Sequence, residues 1–266
     1  MILDDIVARR KAAVEEVKAF RPLTHLQREI SETDTPRRFY EHVNQEAINV
    51  ICEIKKASPS KGDIRMDADV PGIAREYSNA GAAAISCLTE PDYFKGRNEY
   101  IQIIKRNCPL PVLRKDFIVD PYQVYESRLL GADAILLIVH ILSREELTAM
   151  LEICESLSMS ALVETHSKDE IETALEAGAQ IIGINNRDLT TMKIDLNTTF
   201  RLLPRIPQER TVVVESGITE PQQVRRLVRA GARNFLVGTA LMANRDIAKT
   251  FQELFGTYSG ETACPF

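Results

Sequence analysis

The sequence predicts an α/β fold in which eight strands alternate with helices. A short phrase, in which a glycine follows a helical pattern and precedes an apolar run, occurs four times. Its glycines stand at positions 81, 131, 178 and 231, so the copies are 50, 47 and 53 residues apart. Eight short apolar runs, rich in β-branched residues, are spaced through the same part of the chain. These patterns favour a repeated strand and helix unit.

Each copy of the phrase predicts a helix that ends at glycine and a strand that follows it. The copies read NAGAAAI, LLGADAI, EAGAQII and RAGARNF. Glycine is favoured just past a helix end because, without a Cβ, it takes a positive φ at little cost. An interval of about 50 residues is too long for one strand and helix unit of roughly 30 residues. Two units therefore fit between successive copies.

The predicted strands are the apolar runs themselves. They lie at 48–54, 83–88, 110–114, 133–139, 160–164, 180–184, 211–215 and 234–237. Runs such as ILLIV and TVVVE are apolar almost throughout, which is typical of strands covered on both faces. The sheet is therefore expected to lie between layers of helices.

The segments between these runs have the apolar spacing of amphipathic helices. SREELTAMLEICESL begins at Ser143 and TEPQQVRRLVRAG at Thr219, and both open with a residue type that caps helices. Eight such units close most naturally into a (β/α)8 TIM barrel, with its chemistry at the carboxyl ends of the strands. A doubly wound open sheet is the alternative, but no G-x-G-x-x-G follows the first strand.

Residues 1–46 precede the first strand and are expected to form a helical extension that packs on the barrel. Ile2, Ile6, Ala13 and Val17 are helically spaced, and a second helical stretch lies near 36–44. We interpret residues 1–266 as a single barrel domain that includes this extension.

Composition places the chain among ordinary soluble proteins, with 44% hydrophobic and 27% charged residues. The apolar stretch 132–142 is interrupted by Asp133 and His140 and is shorter than the roughly 20 residues that span a bilayer. Residues 1–20 lack the apolar core of a signal peptide, so a cytoplasmic location is expected, with no membrane partner.

Cysteine usage and charge limit the other function classes. The five cysteines are odd in number and include no Cys-x-x-Cys pair, so we expect neither disulfides nor a zinc site, and no cofactor or metal. A net charge of -5 argues against a general nucleic-acid surface. The expected partner is a small phosphorylated molecule, and the protein is expected to be a monomer.

Charged side chains collect where the predicted strands end. Residues two apart on a strand share a face, so Glu53 and Lys55 point the same way, into the mouth of the barrel. By the same alternation Lys115 and Glu164 point inward from the third and fifth strands. A carboxylate and an amine that share a desolvated site shift each other's pKa values. A buried ion pair with no catalytic role is the alternative interpretation of the first pair.

Other polar and charged side chains lie near the same strand ends. Asn185 and Arg187 share a side after the sixth strand, whereas the fourth strand offers only apolar walls. We expect His166 to form loop hydrogen bonds rather than to act as a catalyst. Ion pairs that brace the loops are expected for Arg114, Asp116 and Asp188.

The last two strands each end in a small hydroxyl residue beside a glycine. These are Ser216 with Gly217, and Gly238 with Thr239. Barrels bind phosphate at this place through backbone N–H groups, and glycine permits close approach of the anion. Ser58, in the turn after the first strand, is expected to add a hydroxyl from across the mouth.

Seven stretches, taken in order, resemble the indole-3-glycerol-phosphate synthase family. They are ICEIKKASPSKG, AISCLTEPDYFKG, VLRKDF, ALVETH, GINNRDL, VVESGI and LVGTALM. The resemblance covers nearly the whole chain and includes the helical extension. It implies conversion of 1-(2-carboxyphenylamino)-1-deoxyribulose 5-phosphate to indole-3-glycerol phosphate, with loss of carbon dioxide and water.

The resemblance also implies residue roles. Lys115 would protonate the carbonyl oxygen during ring closure, and Glu164 would be a catalytic base. Lys55 would bind the substrate carboxylate or act as a second acid, and Glu53 is also available for the later steps. Asn185 and Arg187 would position polar groups, Phe117 and Leu136 would flank the anthranilate ring, and Ser58, Ser216, Gly217, Gly238 and Thr239 would hold phosphate.

Two other functions are compatible with the same residues. A related phosphate-binding barrel could act as a sugar isomerase or as an aldolase, in which a lysine forms a Schiff base. A non-catalytic sensor of a phosphorylated ligand is the other alternative. The retention of both lysines and both glutamates argues against the sensor.

Overall fold

A computed structural model describes residues 2–258. Eight parallel strands form a closed barrel in which each pairs with the next and the last pairs with the first. The strands are β1 Asn49–Ile54, β2 Ala84–Leu88, β3 Val112–Lys115, β4 Ala134–Ile138, β5 Ser160–Thr165, β6 Ile181–Asn185, β7 Thr211–Glu215 and β8 Asn234–Val237. The predicted barrel is confirmed, and each predicted apolar run contains one strand or overlaps it.

Helices precede the barrel and cover its outside. The three that precede it are α1 Ile2–Phe20, α2 Leu23–Ile30 and α3 Phe39–Val43. The others are α4 Val70–Ala80, α5 Glu99–Asn107, α6 Pro121–Leu129, α7 Arg144–Ser156, α8 Lys168–Glu176, α9 Asn197–Leu202, α10 Pro221–Arg229, α11 Thr239–Met242 and α12 Ile247–Phe255. Three 3-10 turns lie at Val139–Ile141, Leu203–Arg205 and Gly256–Tyr258. None of the helices in residues 2–258 is long and apolar enough to cross a membrane.

The repeated glycines end helices as the sequence predicts. Gly81, Gly131, Gly178 and Gly231 have φ values of 95°, 87°, 91° and 99°. An added Cβ would meet nothing within 4 Å at any of the four, so glycine is required there by backbone conformation rather than by space.

Alternation along the strands separates an inner core from an outer one. Inside the barrel, residues such as Ile51, Leu113 and Leu162 pack together, and Phe39 and Val43 of α3 join them. The Thr211 hydroxyl at the start of β7 donates to the side chain of Asn44, which follows α3. Helix α3 therefore seals the amino end of the barrel, and the carboxyl end stays open.

The extension packs on the barrel as expected. Leu26 of α2 and Val14 of α1 pack with Tyr122 of α6. Lys18 donates to Asp120 at 2.9 Å. The buried face of α1 is formed by Leu3, Ile6 and Val14, whereas the predicted stripe residues Ile2 and Val17 are exposed. The spacing thus predicted the helix and the burial of Ile6, but not the rest of its buried face.

Candidate active site

The carboxyl ends of the strands surround an open cavity. Its empty volume is about 1390 Å³, including the mouth. All the site residues that the sequence predicts line it: Glu53, Lys55, Ser58, Lys115, Phe117, Leu136, Glu164, Asn185, Arg187, Ser216, Gly217, Gly238 and Thr239. Strand alternation, the small residues at the strand ends and the family resemblance therefore predicted residues that share one space.

Lys115, the last residue of β3, bridges two carboxylates. Its Nζ lies 3.1 Å from Glu164 Oε2 and 3.1 Å from Glu215 Oε2. Burial lowers the pKa of Lys115, but Glu164, Glu215 and Glu53 oppose that effect and raise the pKa well above its usual value. The ammonium is therefore present at neutral pH and is held by hydrogen bonds on two sides.

Glu164, on β5, is held ionised. Burial raises its pKa, but Lys115 and His166 lower it, and the net direction is downward. The Asn185 amide also donates to Glu164 Oε1 at 3.0 Å. Cationic or N–H groups thus contact both oxygens and keep the carboxylate ionised.

Glu215, the last residue of β7, is a member of the site that the sequence analysis missed. It is 1% exposed, and its Oε1 is buried without a hydrogen-bond partner. Burial raises its pKa to about 7; Lys115 opposes the rise, and Glu164 adds to it. Because Glu164 has several partners and Glu215 Oε1 has none, Glu215 is the carboxyl of the two that holds a proton more readily. The signal was available, since position 215 is two residues after the inward Val213.

Two glycines make room for the buried carboxylates. A Cβ on Gly238 would lie 2.2 Å from Glu53 Oε1, and one on Gly183 would lie 2.3 Å from Glu215 Oε1. Gly183 was not predicted as a site residue. Glycine was predicted at position 238 to permit close approach of a phosphate. The structure adds a separate reason for glycine there, because a Cβ would occupy the space of the Glu53 carboxylate. Lys55 forms an ion pair with the same Glu53 carboxylate, which agrees with their shared face.

The end of β6 contributes an amide and a guanidinium. Asn185 Oδ1 accepts the backbone N–H of Arg187 at 3.0 Å, so this amide links Glu164 to the loop that follows the strand. Arg187 donates to the Met192 carbonyl at 3.0 Å, and burial lowers its pKa. Both side chains reach the cavity.

The predicted phosphate residues follow β7, β8 and β1, which are neighbours in the barrel, so Ser58 lies beside the others and not across the mouth as expected. Ser216 and Gly217 have positive φ values of 65° and 86°, and a Cβ on Gly217 would lie 2.6 Å from Ile194 Cγ2. Ser58 belongs to a hairpin formed by Ala57–Ser58 and Gly62–Asp63, and its hydroxyl is buried without a partner. The unpaired Ser58 hydroxyl at this side can therefore donate to an anion.

Apolar side chains form another wall of the cavity. Phe117 lies beside Phe94, with ring centroids 6.2 Å apart, and Leu136 faces the same space. Leu3 and Ile6 of α1 also line the cavity, so the extension contributes to its cover. The sequence analysis had not predicted Phe94 or the α1 residues, because their positions depend on how a loop and the extension fold over the mouth.

The structural roles predicted around β3 are confirmed, with one exception on a later loop. Arg114 is fully buried and forms ion pairs with Asp116 at 3.3 Å and Glu126 at 2.7 Å. The expected ion pair at Asp188 is wrong. Its carboxylate accepts the backbone N–H groups of Thr190 and Thr191 at 2.9 and 2.7 Å, which shapes a turn.

His166 forms the loop hydrogen bonds that the sequence predicts, and its ring also contacts Glu164 in the cavity. Glu170 accepts its backbone N–H at 2.7 Å and lies 3.1 Å from its Nδ1. Its Nε2 lies 3.3 Å from Glu164 Oε1, a contact that was not predicted. The histidine therefore stands between two carboxylates.

The cysteines of the described residues are buried free thiols. Burial raises the pKa of Cys154 to about 12, so it stays protonated at neutral pH. Cys264 lies outside the described residues. Within residues 2–258, no three His, Cys, Asp or Glu side chains form a group that could hold a metal ion.

Known proteins with the same fold are numerous, and two solved structures illustrate the likeness. The 3-hexulose-6-phosphate synthase from Salmonella typhimurium matches with a TM-score of 0.65 and 13% identity, over 79% of this chain and 98% of that one. An archaeal fructose-1,6-bisphosphate aldolase matches with a TM-score of 0.61 and 17% identity, over 84% and 98%. At such identities the likeness shows the fold alone.

Sequence comparison is more specific. The family model for indole-3-glycerol phosphate synthase matches residues 3–254. A relative of that name from Endomicrobium trichonymphae is 46% identical over 256 residues, which cover 96% of this chain and 99% of the relative. One from Thermoanaerobacter pseudethanolicus is 47% identical, with coverage of 91% and 92%. On these matches, which span nearly the whole chain, the protein belongs to the indole-3-glycerol phosphate synthase family.

Proposed function

We propose that the protein is an indole-3-glycerol phosphate synthase, a carboxy-lyase of tryptophan biosynthesis. It converts 1-(2-carboxyphenylamino)-1-deoxyribulose 5-phosphate to indole-3-glycerol phosphate, carbon dioxide and water. The observation that carries the proposal, within this family, is the placement of Lys115 between Glu164 and Glu215 at the base of the cavity.

Ring closure needs an acid. The aromatic carbon that bears the carboxylate attacks the ribulose carbonyl, and negative charge develops on the carbonyl oxygen. Lys115 donates a proton to that oxygen. The neighbouring carboxylates keep the Lys115 amine protonated before this step and hold its position in the cavity. Loss of carbon dioxide then restores the aromatic ring.

Dehydration needs a second acid and a base. A proton delivered to the new hydroxyl lets it leave as water, and Glu164 removes a proton to complete the pyrrole ring. The cycle therefore consumes two protons and returns one, which matches the loss of a carboxylate as neutral carbon dioxide. Lys55 and Glu53, paired at the end of β1, are proposed to bind the substrate carboxylate or to supply the second acid.

The remaining residues bind substrate. Ser58, Ser216, Gly217, Gly238 and Thr239 are proposed to hold the phosphate at one side of the mouth. Phe117 and Leu136 would flank the anthranilate ring, with Phe94 beside Phe117. Asn185 and Arg187 would position the polar groups between these two ends.

The wider organisation is proposed on the sequence grounds given above. The chain acts on a small phosphorylated molecule as a cytoplasmic monomer, without nucleic-acid, membrane or cofactor partners. It is proposed to form a single domain over residues 1–266, of which 1 and 259–266 lie outside the described part.

Turnover of the synthetic substrate tests the proposal. Purified protein should release carbon dioxide and an indole product in equal amounts, and Lys115→Met should abolish most of both. Borohydride trapping of a substrate adduct would instead favour an aldolase that uses a Schiff base. Absence of turnover by the unmodified protein would refute the synthase assignment.

A further inference from the structure

The ring of His166 connects the proposed catalytic base to a second carboxylate outside the cavity. Its Nε2 lies 3.3 Å from Glu164 Oε1, and its Nδ1 lies 3.1 Å from Glu170 Oε2. We propose that His166, fixed by Glu170, is a positioning residue that keeps Glu164 oriented and ionised for proton removal. The inference rests on the function proposed above and extends it to residues with no role assigned there.

Local structure explains why the ring is fixed. Helix α8 begins after Ser167, whose hydroxyl accepts the N–H of Glu170 at 3.2 Å. This cap places Glu170 in the first turn of the helix, where its carboxylate accepts the His166 backbone N–H at 2.7 Å and faces the ring. The Glu170 carboxylate therefore contacts both the main chain and the ring of His166, which restricts rotation of the ring.

The charges around the ring favour the imidazolium. Burial lowers the pKa of His166, but the neighbouring carboxylates of Glu164 and Glu170 raise it to about 10. On the loop after β6, the backbone N–H of Thr191 is the main cause that lowers the pKa of Asp188, and the charge of His166 adds to that lowering. His140 contacts the other oxygen of Glu170 at 3.2 Å from a half-exposed position. With the carboxylates of Glu164 and Glu170 in contact with it, the ring carries a positive charge at neutral pH.

A second cation beside Glu164 matters because the first one is consumed. Lys115 contacts Glu164 Oε2, and in the proposed reaction it gives its proton to the substrate during ring closure. Its charge is then lost before Glu164 acts. The imidazolium contacts the other oxygen, Oε1, and takes no part in ring closure. His166 thus keeps Glu164 a carboxylate, in one orientation, between the two chemical steps.

The test compares His166→Asn, Glu164→Gln and the double variant. His166→Asn should lower kcat on the order of 10-fold to 100-fold, the scale seen for groups that orient a functional residue, with KM nearly unchanged. In the Glu164→Gln background the same replacement should cause no further loss. Losses that multiply in the double variant would overturn the inference, because a purely structural histidine would harm both backgrounds alike.

Two matched variants and a spectrum complete the test. Glu170→Gln should lower kcat with the same non-additivity toward Glu164→Gln, and it serves if His166→Asn fails to fold. His140→Gln, at the exposed end of the chain of contacts, should leave kcat within about two-fold. Only four histidines are present, so ¹⁵N NMR should show one ring still doubly protonated at pH 8, absent in His166→Asn. A neutral His166 at pH 8 would overturn the inference.

The outcome is separable from that of the proposed function. If the unmodified protein has no synthase activity, the proposed function fails, and the NMR spectrum at pH 8 still decides whether His166 is an imidazolium beside Glu164. If it turns over normally and the double variant is additive, only the role of His166 fails.

Discussion

Replacing Gly183 with alanine tests whether Glu215 must occupy the space beside β6. The backbone at Gly183 is not in the left-handed region, so the replacement introduces no conformational strain. The new Cβ, however, would lie 2.3 Å from Glu215 Oε1 and 3.4 Å from Leu162 Cδ1. Leu162 is at an ordinary contact distance, so it is the Glu215 carboxylate that must move.

The expected cost has two parts. Overfilling a packed interior lowers the free energy of unfolding by about 1 to 3 kcal/mol. Movement of Glu215 also breaks its 3.1 Å contact with Lys115, which leaves the proposed acid held by Glu164 alone. We expect kcat to fall by roughly 10 to 100-fold, less than the loss of a positioned proton donor itself, which is about 10² to 10⁴.

The assay pairs Gly183→Ala with a compensating variant. Steady-state turnover and urea unfolding are measured for Gly183→Ala, Glu215→Ala and the double variant. Because Glu215→Ala removes the atoms that the new Cβ would meet, the double variant should be more stable than Gly183→Ala alone. Full activity of Gly183→Ala, or no recovery of stability in the double variant, would refute the packing argument.

Two further predictions follow from the charges in the cavity. The pKa of Glu215 in the folded protein is raised to about 7. Proton binding by Glu215 therefore contributes its full stability below the unfolded pKa, and that stability is lost as pH rises through 7. Because glutamine does not ionise, Glu215→Gln should stabilise the protein relative to the unmodified chain at pH 8 but little at pH 5. The difference should be on the order of 2 to 3 kcal/mol by urea unfolding, and equal stabilisation at both pH values would contradict it. Lys115→Met and Glu164→Gln should each lower kcat by roughly 10² to 10⁴. Arg114→Met should lower kcat much less. It should instead reduce the free energy of unfolding by about 3 to 5 kcal/mol, because it breaks buried ion pairs. Equal kcat losses at Lys115 and Arg114 would contradict the inward and outward assignment on β3.

The fold could be predicted because its signals are local. Gly81 and Gly231 take positive φ values at helix ends, a conformation that favours glycine, so the glycines themselves indicate where these helices end. The apolar runs are strands buried on both faces, so their composition alone marks them. The two-residue alternation then predicts that Glu53 and Lys115 point into one cavity, as they do.

The parts of the site that were missed depend on tertiary packing. Gly183 is needed only because the Glu215 side chain from the neighbouring strand lies over it. The contact between His166 and Glu164 depends on the cap of α8, and the position of Leu3 depends on the path of the extension across the mouth. Glu215 itself follows the alternation rule, but the adjacent Ser216 and Gly217 carry the more specific pattern at that strand end.

Direct observation of the product tests the central claim. The chain has no tryptophan among its 266 residues and only 7 tyrosines, so an indole product would emit against almost no protein background. Mixed with 1-(2-carboxyphenylamino)-1-deoxyribulose 5-phosphate, the protein should generate indole emission together with an equal amount of carbon dioxide, and Lys115→Met should suppress both. Absence of both signals with the unmodified, folded protein would contradict the assignment of this cavity as a synthase active site.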